Sequence, residues 1–201
     1  MIKPAWLFTT VAIASAVVIS GCATDYTREM RPVTSSLRMD RSDLAIEEFR
    51  ENFTDSTGRD RLLYLMELGN LMRLTGDFPG AENLLLQADR LSDVQSRIEL
   101  GQEVEAFLSS DLALEFRGAD YEKVFINYCL AVSYASQNNM EEALVECRRV
   151  NDKLRVLNQN YGENRNRYSD DAFFSYFMGI LYENAGDLNN ALIAYRNSAS
   201  V

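Results

Sequence analysis

The chain has 201 residues, 47% of them hydrophobic, which is enough to bury one core of ordinary size. Its 30 acidic and 20 basic residues give a formal net charge of −10, which disfavours nucleic-acid binding because that function needs a basic face. Three prolines, no histidine and no strand-like alternation of apolar residues predict an all-α protein that lacks the usual base for thiol catalysis.

The first residues have the features of an export signal. Lys3 gives a positive start, residues 5–19 are mainly apolar but short for a membrane span, and small residues precede Cys22. The stretch Ile19–Cys22 resembles the lipobox of bacterial lipoproteins. The resemblance implies that residues 1–21 are a cleaved signal peptide and that Cys22 carries several acyl chains, which anchor a protein stably. The alternative is an ordinary signal peptide with a chance cysteine.

The residues after Cys22 bear on location. Ala23, rather than aspartate, resembles the sorting pattern of lipoproteins of the bacterial outer membrane that face the periplasm. Residues 22–36, with Pro32 among them, are predicted to be a tether that spans at most about 45 Å when extended. We therefore expect a folded domain at residues 37–201 that works near the membrane.

Three stretches share one pattern of small and large residues. A small residue is followed twelve positions later by an alanine, at Gly69 and Ala81, Ala131 and Ala143, and Gly179 and Ala191. Larger residues follow each pair at fixed offsets, namely Met72 and Leu85, Tyr134 and Cys147, and Tyr182 and Tyr195. These offsets match the helix-turn-helix unit of a tetratricopeptide repeat, G-x2-Y…A-x3-F. Facing small residues let antiparallel helices approach closely, so the pattern predicts three helical hairpins.

Turn residues and surplus segments complete the predicted architecture. Gly76, Gly186 and the paired Asn138 and Asn139 tolerate the left-handed backbone that ends many helices. Ala45 and Phe49, four residues apart, indicate a degenerate first unit or a cap. The clear units are predicted at about residues 61–93, 121–156 and 171–201, with an inserted helix at 94–108 and an exposed polar insertion at 158–170. The expected fold is therefore all-α, a tetratricopeptide-like array of hairpins, or α-solenoid, with an extra inserted helix.

The last unit and two further stretches resemble a known group of proteins. Residues 109–154 and 168–173, together with the lipobox and the repeats, look like a poorly characterised family of bacterial tetratricopeptide-repeat lipoproteins. Members of that family are typically longer and have no firmly assigned activity, so the resemblance implies no catalytic residue. Leu192, Ile193 and Tyr195 are too many apolar residues to face inward together, and arrays normally close with a polar helix. We expect the chain to be truncated at its C-terminus, or else another element to cover this end.

The first helices of the units are expected to form an inner face. Counting from the small residues predicts a candidate binding groove formed by Asn70, Arg73, Phe125, Tyr128, Val132, Phe173, Tyr176, Ile180 and Asn184. Tyr128 and Tyr176 are the expected aromatic anchors for a peptide or helix. In the alternative interpretation the same apolar residues are core that packs against another helix.

The remaining signals are less specific. Cys129 and Cys147 lie on the two helices of one hairpin, as either a disulfide or buried free thiols; the core position of Cys147 favours the thiols. A basic run on one helix either receives an acidic partner or forms a solvated face paired with Glu142 and Glu146. The run consists of Arg148, Arg149, Lys153 and Arg155. No pattern indicates a catalytic set, a metal site or a cofactor.

These observations favour a non-enzymatic scaffold of the cell envelope. We expect a lipid anchor at Cys22, a protein or peptide partner in the groove and no nucleic acid; the oligomeric state is left open. One alternative is a longer envelope hydrolase or glycan-active protein whose catalytic part lies beyond Val201. Another is a structural spacer without a specific ligand.

Overall fold

The computed structural model describes residues 22–53, 58–99, 116–161 and 171–200. All regular structure in these ranges is α-helical, which confirms the all-α prediction. The signal predicted for residues 1–21 lies outside the described residues. The chain divides into two compact units, Met1–Thr54 and Asp55–Val201.

The first unit contains helices α1 (Cys22–Arg38) and α2 (Ser42–Asn52), which pack against each other. Ala45 and Phe49 of α2 are buried, as expected for a second helix of a hairpin. Ser36 Oγ of α1 donates a hydrogen bond of 2.7 Å to Glu48 Oε2 of α2. The first unit is therefore a helical hairpin with its own small core.

The prediction of an extended tether at residues 22–36 is wrong, because these residues belong to α1. Pro32 lies inside this helix, where proline normally costs about 3 kcal/mol. Val33, next to this proline, is fully buried, and burial of its apolar side chain opposes that cost. The 17 residues of α1 span only about 25 Å as a helix, much less than an extended chain would.

The described part of the second unit forms three hairpins. Their helices are α3 (Arg61–Leu74) and α4 (Phe78–Glu99), α5 (Asp120–Ser136) and α6 (Met140–Tyr161), and α7 (Ala172–Asn184) and α8 (Leu188–Ala199). Helix α5 packs against α3 and α4, and α7 packs against α6. Helix α5 therefore joins the first two hairpins, and α6 and α7 join the last two.

The three hairpin turns have the same backbone geometry. Gly76, Asn138 and Gly186 have φ angles of 87°, 61° and 79°, which confirms these three predicted turn residues, whereas Asn139 does not have a positive φ angle. In each turn the following residue donates its N–H to a carbonyl five residues back, at 2.9 Å in all three cases, as in a Schellman motif. These bonds run from Asp77 to Met72, from Asn139 to Tyr134 and from Asp187 to Tyr182.

The small residues of the repeated pattern lie where the paired helices cross. All six are buried: Gly69, Ala81, Ala131, Ala143, Gly179 and Ala191. A Cβ atom at Gly69 would lie 2.9 Å from Leu85 Cγ, and one at Gly179 would overlap the ring of Tyr195. Larger residues at these points would force the helices apart, so the pattern sets the distance between them.

Two boundaries differ from the prediction. No helix begins at residue 94, because α4 is continuous to Glu99; residues 100–115 lie outside the described ones. Ser92 and Gln95 are buried, and Gln95 Nε2 donates a hydrogen bond of 3.3 Å to the carbonyl oxygen of Phe116. The packed face of α4 therefore extends past residue 93. Likewise α6 continues to Tyr161, since Leu157 packs against a small cluster formed by Val124, Val150 and Leu154.

The last hairpin has an apolar outer surface. Leu188, Leu192 and Ile193 of α8 are 67%, 49% and 54% exposed, whereas Ala194 is buried. The expectation that the apolar residues of α8 cannot all face inward is confirmed. The exposed residues form a patch on the outer side of α8.

Replacing Gly186 by alanine is expected to lower the free energy of unfolding by about 1 kcal/mol, because a Cβ is disfavoured at this φ angle even though nothing lies within 4 Å. Gly186→Asn is the matched control and should cost less, since asparagine occupies the equivalent turn position at 138. Urea unfolding of the full chain, followed by circular dichroism, measures both. Equal losses would contradict a left-handed turn at this position.

Candidate binding groove

An aromatic cluster joins α5 to α7. The ring of Tyr128 on α5 lies 5.0 Å from that of Phe125 and 5.3, 5.7 and 4.9 Å from those of Phe173, Phe174 and Phe177 on α7. Most of these pairs are tilted or edge-to-face, the arrangements that aromatic rings prefer. Tyr128 is therefore the centre of the contact between the two helices.

The cluster is partly core and partly surface. Tyr128 and Phe177 pack against the main core, whereas Phe125 and Phe173 are 42% and 52% exposed. The structure thus combines the two alternatives drawn from the sequence. The inner rings hold α5 and α7 together, and the outer rings present an apolar surface.

A polar group lies beside Tyr128. Arg73 on α3 donates from Nε and Nη2 to Asn70 Oδ1, at 3.2 and 2.8 Å. Cys129 Sγ lies 3.7 Å from the same oxygen and donates to it. Burial raises the pKa of Tyr128, and the positive charge of Arg73 opposes that rise. Four of the predicted groove residues, Asn70, Arg73, Phe125 and Tyr128, therefore lie close together.

Other predicted groove residues have different surroundings. Tyr176 is 54% exposed, and its ring pairs with Tyr195 of α8 at 5.6 Å; Gly179, which lacks a side chain, leaves room for the Tyr195 ring alongside α7. That Tyr128 and Tyr176 anchor one ligand stays a prediction. Ile180 is 42% exposed, and Val132 is partly exposed. Asn184 Nδ2 lies 3.6 Å from Met140 Sδ.

Cys129 and Cys147 are free and buried, which agrees with the buried-thiol alternative. Burial raises the pKa of Cys129 to about 11 and that of Cys147 to about 12. Because the thiolate is the nucleophilic form, both side chains are unreactive near neutral pH.

The basic run has a partner that the sequence did not indicate. Asp89 of α4 is only 2% exposed and pairs with Arg149 and with Lys153, whose Nζ lies 2.7 Å from Asp89 Oδ1. Lys153 also lies 3.4 Å from Asp93. Arg149 Nη1 is 3.9 Å from Glu146, so the predicted pairing within the helix is secondary. Arg149 and Lys153 therefore connect α6 to α4 rather than forming only a solvated face.

Asp89 could have been suspected from its position. It follows Ala88 on the buried stripe of α4 that includes Ala81 and Leu85. A carboxylate at such a position needs a cation, because an unpaired buried charge is strongly unfavourable. The partners themselves are about sixty residues away, and no local pattern identifies them.

A second buried polar pair lies next to these charges. Asn127 of α5 is fully buried, and its Nδ2 atom donates a hydrogen bond of 2.7 Å to Glu146 Oε2. Within the described residues, Asn127 Oδ1 has no hydrogen-bond partner. Burial raises the pKa of Glu146, against the opposing effects of the bond from Asn127 and the charge of Arg149.

A cleft of about 620 Å³ adjoins the charged residues, between α4, α5 and α6. Its lining includes Arg97, Lys123, Arg149, Lys153, Asp93 and Asp152. With Asp120, four cations and three carboxylates line the cleft, so its lining is of nearly balanced charge.

In the ranges that the structure covers, no three histidine, cysteine or acidic side chains are grouped so as to hold a metal ion. In the same ranges, no helix combines the length and the apolar character that a membrane span requires.

The described residues thus define an all-helical protein of successive hairpins with a partly exposed aromatic surface next to a cationic group. No protein-family model matches the chain, and no curated protein matches its sequence significantly.

We expect replacement of Glu146 by glutamine to stabilise the chain increasingly as pH rises above 4.5, the ordinary pKa of this carboxyl. The folded chain holds the Glu146 proton more tightly than the unfolded chain does, so ionisation of this buried group lowers the free energy of unfolding as pH rises. Denaturant unfolding at several pH values measures the difference between variant and native chain. Glu142→Gln, an exposed carboxyl on the same helix, is the control. A difference that does not change with pH would contradict the assignment.

Proposed function

We propose that this chain is a lipid-anchored scaffold of the cell envelope that binds a segment of a partner protein in a groove on its second unit. The groove is formed by Asn70 and Arg73 of α3, Phe125 and Tyr128 of α5, and Phe173 of α7. The observation that carries the proposal is the pair of half-exposed rings, Phe125 and Phe173, on either side of Tyr128. Exposed aromatic rings next to an arginine are typical of protein-binding surfaces.

The proposed arrangement of the second unit is a tetratricopeptide-like array. Three hairpins with the same turn bonds and the same buried small residues support it. Contact between α3 and α5, the first helices of successive hairpins, also supports it, because such arrays stack equivalent helices side by side. This stacking leaves the first helices on one face, where the groove residues are found.

The proposed anchor is the lipid on Cys22. The apolar residues 5–19 and the lipobox-like residues before Cys22 support this assignment. The proposed location is the outer membrane, facing the periplasm. The partner is then a protein of the cell envelope.

The groove is tested by capture of a partner. The native chain is crosslinked to its partner in native membranes. We expect the double variant Phe125→Ser, Phe173→Ser to capture at least about ninefold less of this partner, because two exposed apolar contacts are removed. Tyr176→Ser is the matched control, since Tyr176 is equally exposed but lies outside the Tyr128 cluster.

Circular dichroism and thermal unfolding establish that the variants are folded. Unchanged capture by the folded double variant would contradict the groove. If the native chain captures no partner at all, the spacer alternative is the better explanation.

The anchor is tested by substitution of Cys22. We expect Cys22→Ser to abolish incorporation of labelled palmitate and to move the protein out of the outer-membrane fraction, because the lipid chains supply the membrane affinity. Cys147→Ser is a control that leaves Cys22 in place. Continued sedimentation of Cys22→Ser with the outer membrane, without label, would argue against a lipid anchor.

A further inference from the structure

The groove contains hydrogen-bond donors that have no acceptor among the described residues. The Tyr128 hydroxyl and the Asn70 amide nitrogen make no hydrogen bond within these residues. Arg73 uses two of its N–H groups on Asn70 Oδ1, and the guanidinium has more donors than that. All three side chains are partly buried, so water reaches them less freely than it reaches an exposed side chain.

Arg73 differs from the other partly buried cations of the described residues. Lys153 is bound by Asp89 and Asp93, and Arg149 by Asp89. Arg73 has only the neutral Asn70 as a bonded oxygen partner, and no carboxylate lies within ion-pair distance of it in the described ranges. In a chain with a net charge of −10, a partly buried arginine without an acidic partner is notable.

Asn70 fixes the orientation of this arginine. Its Oδ1 atom accepts from Nε and Nη2, so one edge of the planar guanidinium is held against α3. The guanidinium also interacts with the Cys129 thiol, and none of its other N–H groups is bonded to an oxygen acceptor among the described residues. Tyr128 is near enough for the charge of Arg73 to affect its ionisation. Asn70 Oδ1 also lies 3.7 Å from the Sγ atom of Cys129, the residue that follows Tyr128, so the guanidinium and the amide lie on the side of α3 that meets α5 at Tyr128.

A group that consists of donors and one positive charge selects an anion. The planar guanidinium matches a carboxylate, with which it forms two parallel hydrogen bonds. A phosphate group is a poorer match, because its recognition usually needs several arginines and only one is present here. The neighbouring half-exposed rings of Phe125 and Phe173 add an apolar surface to the same groove.

We propose that the groove recognises a partner segment in which an aspartate or glutamate side chain binds Arg73, Asn70 and Tyr128 while a nearby apolar side chain packs on Phe125 and Phe173. This inference rests on the proposed function and specifies the chemistry of the partner. A side chain suits the site better than a chain terminus, because the donors are more buried than the outer rings. A side chain reaches them while the peptide backbone stays at the level of those rings.

The test uses the full chain in detergent micelles and a phage library of random linear heptapeptides fused at their C-termini, so that no free terminal carboxylate is present. Selected peptides are synthesised with acetylated and amidated ends. We expect them to contain Asp or Glu within two or three positions of an apolar residue. Replacing that Glu by Gln, or Asp by Asn, should weaken binding about tenfold or more in fluorescence anisotropy, the range for a hydrogen bond to a charged group.

Variants of the protein locate the effect. Arg73→Gln should weaken binding of the acidic peptide by the same factor and leave binding of its amide counterpart unchanged, as in a double-mutant cycle. Asn70→Asp should also weaken binding of the acidic peptide. The aspartate side chain has nearly the shape of asparagine, and its carboxylate would pair with Arg73 in place of the peptide. Arg148→Gln, at an exposed arginine of α6, is the matched control and should leave both peptides unaffected.

The outcomes separate this inference from the proposed function. Peptides that lose binding in Phe125→Ser, Phe173→Ser but bind equally to native chain and Arg73→Gln would overturn the carboxylate site and leave the groove intact. Peptides that bind only when given a free C-terminal carboxylate would overturn the choice of a side chain. If the folded native chain selects no peptide from the library, both proposals are wrong.

Discussion

The close approach of paired helices at small residues is the constraint on which the second unit depends. At Gly69 and Gly179 a single added carbon would collide with Leu85 or Tyr195 of the facing helix. The turns are equally restricted, because each reverses the chain in a few residues with one residue in the left-handed conformation. Together these two features fix each hairpin as a rigid piece. The hairpins then differ from one another mainly in the side chains that join them.

The side chains of helix α5 that contact neighbouring helices are of two kinds. Asn127 and Tyr128 are neighbours in the chain but project in different directions: Asn127 contacts Glu146 of α6, and Tyr128 contacts the phenylalanines of α7. One direction is polar and fully buried, and the other is aromatic and partly open. A buried hydrogen bond is satisfied only in one geometry, whereas aromatic packing tolerates several. The polar pair therefore holds α5 against α6, while Phe125 and Phe173 on the aromatic side stay about half exposed.

The features that could be read from the sequence are those set by local chemistry. Gly76, Asn138 and Gly186 identify the turns because few other residues adopt a positive φ angle. The tether prediction at residues 22–36 fails because the proline rule is local, whereas the packing of α1 on α2 depends on residues further along the chain. Tyr176 was placed in the groove by counting along one helix, but Tyr195 on the next helix determines where its ring lies. The pairing of Asp89 with α6 depends on contacts between distant residues and was not accessible from spacing.

The link between α4 and α6 differs in kind from the other contacts between hairpins. It is made largely by the long side chains of Arg149 and Lys153, which meet Asp89 and Asp93 beside the cleft, and nearly half of the Arg149 side chain is exposed. Interactions of partly exposed charges weaken as salt screens them, whereas apolar packing of the kind that joins α5 to α7 does not. The ionic contact between α4 and α6 is therefore the more sensitive of the two to ionic strength, whereas the first two hairpins also share an apolar core that includes Leu65, Leu85 and Leu130. For a protein in a compartment whose salt content follows the surroundings of the cell, as in the proposed periplasmic location, the ionic contact between α4 and α6 is the one that would weaken first as the salt concentration rises.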